Sequence, residues 1–134
     1  MKNLTFIFLL ISSLFFSLKA KGQEITLMNN VASTATGNYS THLATGRLIG
    51  SVQISTNDSF NGSTTTAALQ ASNDDITWST VFADDNTTPL SFTLSAGSNS
   101  YVWLIKATMF QHYRIVYTKG NATLGTVKAI LNAQ

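Results

Sequence analysis

Two histidines and six carboxylates are the ionisable side chains most able to do chemistry in this 134-residue chain, and there is no cysteine. His42 and His112 are the two histidines, the side chain most often used as a general base. A Ser-His-Asp mechanism of the common hydrolase type would need a Gly-x-Ser-x-Gly elbow, which the sequence lacks. His42 stands in a Ser/Thr/Gly-rich stretch and His112 just ahead of a predicted strand, so both read as polar surface residues. Glycoside hydrolysis requires two carboxylates facing each other across a cleft. Asp84 and Asp85 are adjacent, and on an extended chain neighbours point to opposite sides. No glycine loop suited to cradling a phosphate is present. The expectation is a protein that is not an enzyme, with a small secreted hydrolase as a distant alternative.

Metal and ligand chemistry have more to work with. Calcium takes oxygen ligands from acidic loops, and Asp74, Asp75, Asp84 and Asp85 flank one predicted strand in two such loops, with Asn57-Asp58 as a third acidic turn. They are the calcium candidates, although Asp and Asn are also ordinary turn formers. No other cofactor is expected, and the missing cysteine excludes zinc fingers, iron–sulfur sites, thiol catalysis and disulfides. Sugar recognition uses exposed rings oriented by polar side chains; Tyr39, Tyr101, Trp103 and Tyr113, with Arg114, are the candidates for a ligand or subunit interface. Tyr101-Val102-Trp103-Leu104-Ile105 is apolar on both faces. One face must meet the core, and the other is covered intramolecularly, buried against another subunit or exposed for binding.

The elements that would position these groups begin after a leader. Met1-Lys2-Asn3, an apolar run from Leu4 to Leu18, and small residues at Ala20 and Gly22 match a secretory signal peptide cut between Gly22 and Gln23. The alternative is an uncleaved membrane anchor over residues 1–22, the only membrane contact expected. Removing those residues takes Lys2, Lys19 and Lys21, which changes the formal net charge from +2 to −1. No basic cluster remains, so nucleic acid is not an expected partner.

Charged residues make up 10% of the chain, against about 25% in average proteins. Ser, Thr and Asn supply the polarity instead. Five Asn-x-Ser/Thr triplets follow the leader, at Asn38, Asn57, Asn61, Asn86 and Asn121, and carry no meaning in a bacterial or phage setting. Residues 29–46 hold few large apolar groups, and 23–46 is expected as a loop-rich lead-in, with Ile25, Leu27, Leu43 and Leu48 docking on the sheet. Residues 47–134 read as the sandwich domain, in short alternating bursts at 48–55, 64–71, 77–83, 90–94, 101–107, 113–118 and 126–131. Gly, Asn, Asp and Ser separate the bursts. The fold class is all-β, a single antiparallel sandwich of jelly-roll-like or immunoglobulin-like connection.

The stretch Ser72-Asn73-Asp74-Asp75-Ile76-Thr77-Trp78 resembles the Ser-Asn-Asp-x-x-x-Trp hairpin of discoidin-like and carbohydrate-binding-type β-sandwich modules, found also in phage virion proteins. His112-Tyr113-Arg114-Ile115-Val116 and Leu124–Leu131 are similar to their later strands. The resemblance spans residues 47–134 and implies a fold and a structural or binding role, with no site residues. Asp75 departs from the pattern, where glycine is commoner, and the paired cysteines of secreted discoidin domains are absent. Trp78 is expected as a buried anchor of the sandwich.

These features together give the expected function. It is a structural or attachment module, secreted or displayed on a virion or bacterial surface, and homo-oligomeric. A secreted glycan-binding module is the alternative.

Overall fold

Strict alternation builds the strands. In β8 (His112–Thr118), Tyr113, Ile115 and Tyr117 are buried while the residues between them are not. In β9 (Thr126–Ala133), Val127, Ala129, Leu131 and Ala133 are buried in the same way. Period two places each buried set on one face of a pleated strand. The computed structural model describes residues 22–42, 49–83, 85, 87–105 and 110–133. The remaining strands are β1 (Gln23–Ala32), β2 (Gly37–His42), β3 (Ile49–Thr56), β4 (Thr65–Ser72), β5 (Ser79–Thr80), β6 (Ser91–Leu94) and β7 (Ser100–Leu104).

Two antiparallel sheets result. One runs β1-β9-β3-β7; the other runs β2-β8-β4, with β5 and β6 sharing the free edge of β4. The chain changes sheet at every connection except β4–β5 and β5–β6. This is the jelly-roll connection. An immunoglobulin-like order would keep the first two strands in one sheet, whereas here they lie in different sheets.

Residues 23–42 therefore differ from the loop-rich lead-in expected of them: they are edge strands, one in each sheet. Ile25 and Leu27 do pack on the core, while Leu43 and Leu48 lie outside the described residues. The burst expected at 77–83 shortens to β5 and one bridge, Phe82 with Pro89.

Large and small side chains are matched across the ladders. Tyr117 pairs with Ala67 and Tyr113 with Ala71, so each ring lies beside an alanine. In the facing sheet Ile54 pairs with Ala129. This is how two tyrosines are fully buried in so thin a sandwich without strain. The Tyr117 hydroxyl donates to the Ser33 carbonyl at 2.9 Å, and burial pushes its pKa up to about 12.

The upper end of the sandwich, where β3 leads to β4 and β8 to β9, is locked by asparagine amides. Asn61 Oδ1 accepts from the Thr123 and Leu124 N–H groups, and Asn57 Oδ1 from Thr126 N–H. Asn121 Oδ1 accepts from Ser63 and Thr64 N–H at 2.8 and 3.0 Å. The two loops approach so closely that a Cβ on Gly120 (φ +52°) would sit 2.4 Å from the Thr64 carbonyl oxygen. The lower end carries the β4–β5 loop and both ends of the described chain.

Candidate functional site on the outer face of the β2-β8-β4 sheet

Register decides which polar groups meet. Ser40, Arg114, Gln70 and Thr80 form one row across β2, β8, β4 and β5. His42, His112 and Ser72 form the row below it. Arg114 alternates with the buried Tyr113 and Ile115, so its side chain emerges on the outer face of the central strand.

There the guanidinium is held from two sides. Its Nε donates to Gln70 Oε1 at 2.8 Å. Its carbon lies 4.2 Å from the centre of the Trp78 ring, a cation–π contact worth about 0.5–2 kcal/mol. The two terminal nitrogens have no protein partner among the described residues. This corrects the expectation for Trp78. It is half-buried on the outside of the sheet and supports Arg114, and it takes no part in the buried core.

The turn that returns Trp78 to this face is closed by Asp74. Asp74 Oδ1 accepts from Ile76 N–H (2.9 Å), Thr77 N–H (2.7 Å) and the Ser72 hydroxyl (2.8 Å). The Thr77 and Ile76 amides, followed by the Ser72 hydroxyl, hold its carboxyl well below the usual carboxylate range. Asp75 follows at φ +58°, the left-handed position where glycine is commoner and which Asp tolerates.

Below this row the histidines meet. The His42 and His112 rings lie edge to face with centroids 4.7 Å apart. Asp75 Oδ1 stands 3.8 Å from His112 Nδ1, an ion-pair distance beyond hydrogen-bond reach. Ser72, the register partner of His112, gives its proton to Asp74 and to neither histidine. Sequence reading kept the histidines apart because 70 positions separate them; only the β2–β8 register joins them. It also missed Gln70, although its place between the inward Leu69 and Ala71 marks it as outward.

The other candidates are placed elsewhere. Tyr113 is fully buried in the core and offers no surface to a ligand or subunit. Its alternation with Ile115 and Tyr117 is the signal for that position. Tyr101 and Trp103 face inward at the β7 edge, where Trp103 stacks on Phe92 at 3.4 Å between centroids and Tyr101 tilts against it at 5.4 Å. They close the seam between the sheets. Val102 and Leu104 point the other way and are 55% and 81% exposed, with β1 and β2 at other edges and unable to cover them. Tyr39 packs on the core from β2.

Of the calcium candidates, Asp74 and Asp75 lie in the β4–β5 loop and Asp85 in the β5–β6 loop; Asp84 lies outside the described residues. Asp85 closes its own turn, taking N–H groups from Thr87 and Thr88 and the Thr88 hydroxyl. The Thr88 hydroxyl first, then the Thr88 and Thr87 amides, bring its pKa down to about 2. Among the described residues no three His, Asp or Glu side chains are grouped to hold a metal. Of the leader expected over residues 1–22, residues 1–21 lie outside the described residues; Gly22 is exposed and Gln23 begins β1.

No protein-family model, curated protein or solved structure matches the chain.

Proposed function

We propose that the chain is an exported, non-enzymatic attachment module, displayed as a spike or decoration on a virion or on a bacterial surface. The observation that carries this reading is the Arg114 arrangement. A binding group is fixed by Trp78 and Gln70 on the central strand of the sheet, with its terminal nitrogens unclaimed among the described residues. Groups held on strands keep their geometry better than groups on loops, which suits recognition by a preformed surface. Jelly rolls serve widely as capsid and lectin domains, an analogy of fold alone. The leader supports export.

The test is adsorption. Protein purified after expression of all 134 residues is labelled and titrated onto intact bacteria and onto purified envelope fractions. Saturable binding is expected. Failure to saturate on any of these surfaces refutes the attachment reading.

Self-association is a second reading, favoured by the exposed Val102 and Leu104 on the outer face of the edge strand β7. Sedimentation equilibrium should then find oligomers that Leu104→Lys disperses. A wild-type protein that stays monomeric at high concentration removes it.

A further inference from the structure

We propose that Arg114 is the anchor of a site for a carboxylate-bearing saccharide, a uronic-acid-type unit, on the outer face of the β2-β8-β4 sheet. The inference rests on the attachment reading and names its ligand class.

The geometry of the guanidinium narrows the ligand. Arginine is charged at every physiological pH and presents its donors as a planar fork. Gln70 occupies Nε, so side-on pairing through that nitrogen is taken. The end carrying the two terminal nitrogens remains, and its parallel N–H groups match the two oxygens of a carboxylate. Trp78 and Gln70 together hold the guanidinium in place, so little freedom is lost when the anion arrives.

The surroundings favour a sugar over a bare anion. Ser40 and Thr80 lie at the two ends of the Arg114 row, and both are exposed. In the row above, Val116 pairs with Ala68, a low floor beside the guanidinium. Short hydroxyls around a low floor suit the ring hydroxyls of a saccharide. The nearby carboxylates do not neutralise the fork. Asp74 commits its Oδ1 to the turn, Asp75 stands beside His112, and no carboxylate forms an ion pair with Arg114 among the described residues.

The probes are polygalacturonate, neutral dextran and poly-glutamate, measured by calorimetry with the protein expressed as the full chain. Polygalacturonate should bind at least about tenfold more tightly than dextran, which leaves the charge-assisted bonds unmade, and more tightly than poly-glutamate, which offers carboxylates without ring hydroxyls. Arg114→Ala should abolish the difference. Arg114→Lys, which keeps the charge and loses the fork, should weaken binding about tenfold. Gln70→Ala, which releases Nε, should weaken it less while leaving the preference for polygalacturonate in place. Thermal melts of each variant show that the sheet is intact.

Equal binding of poly-glutamate overturns the saccharide assignment, and wild-type affinity in Arg114→Lys overturns the fork. Polygalacturonate binding unchanged by Arg114→Ala places the glycan elsewhere and overturns the proposal. Saturable adsorption to cells without polygalacturonate binding overturns the proposal and leaves attachment standing. Loss of both removes the attachment reading as well.

Discussion

Replacing Asn121 with alanine tests whether side-chain amides hold the upper end of the sandwich together. Asn121 Oδ1 accepts two backbone N–H groups, from Ser63 at 2.8 Å and Thr64 at 3.0 Å, and the Thr64 hydroxyl at 3.2 Å. Nδ2 donates to the Ser63 hydroxyl at 2.9 Å. Water can replace the hydroxyl contacts at this exposed site, so only the two backbone bonds are counted. At about 0.5–1 kcal/mol each, near the lower end of the usual range, their loss costs about 1.5 kcal/mol. For a domain of roughly 110 residues that lowers the melting midpoint by about 4–8 °C. Circular dichroism melts and urea titrations measure it directly.

Asn121→Asp keeps the acceptor and should lose under half as much. Asn38 is the control, since its exposed side chain makes no hydrogen bond among the described residues. Asn38→Ala should move stability by less than about 0.5 kcal/mol. The reasoning fails if Asn121→Ala melts within about 2 °C of the parent, or if Asn38→Ala falls as far.

The buried Tyr117 hydroxyl gives a second outcome: Tyr117→Phe should cost about 1–2 kcal/mol in urea unfolding, because the Ser33 carbonyl loses its partner. The same tyrosine sets an alkaline limit. Its pKa is raised in the folded state, so its contribution is whole below the ordinary value of 10 and disappears as pH climbs through about 12. Melts across that interval should fall less steeply in Tyr117→Phe. Asp85 has the opposite sign: its lowered pKa gives stability present above the ordinary 3.8 and lost as pH falls toward about 2. Asp85→Asn should flatten that acid limb of the melting curve. N-terminal sequencing of the exported protein should begin at Gln23, and a chain retaining Met1 would replace the cleaved leader with an anchor.

How much of this was legible in the sequence depended on periodicity. Bursts such as Leu90–Leu94 and Tyr113–Thr118 alternate cleanly, and their strands appear within two residues of expectation. The β1 strand hid because register shifts flank Met28, leaving the adjacent Leu27 and Met28 both packed inward and breaking the period. The β2 strand hid because its inward residues, Gly37, Tyr39 and Thr41, include a single large ring. An edge strand needs little more. The candidate site was only half readable. Alternation alone turns Arg114 outward and Tyr113 inward. The meeting of Arg114 with Gln70 and Trp78, and of His42 with His112, depends on the pairing of strands distant in sequence. Trp78 misled because a large ring suggests burial, while here the cation above it covers one of its faces.

Gln23 lies opposite Ala133 in the β1–β9 ladder, so the first and last strands have their outer ends side by side. A two-residue link across that gap would make a hairpin, and the molecule could then be reopened at a loop on the far end as a circular permutant. A fusion joined directly at Gln23 or at Ala133 departs from the same pole. Tethered there, the molecule holds its asparagine-locked pole farthest from the support and its arginine-bearing flank broadside to whatever passes.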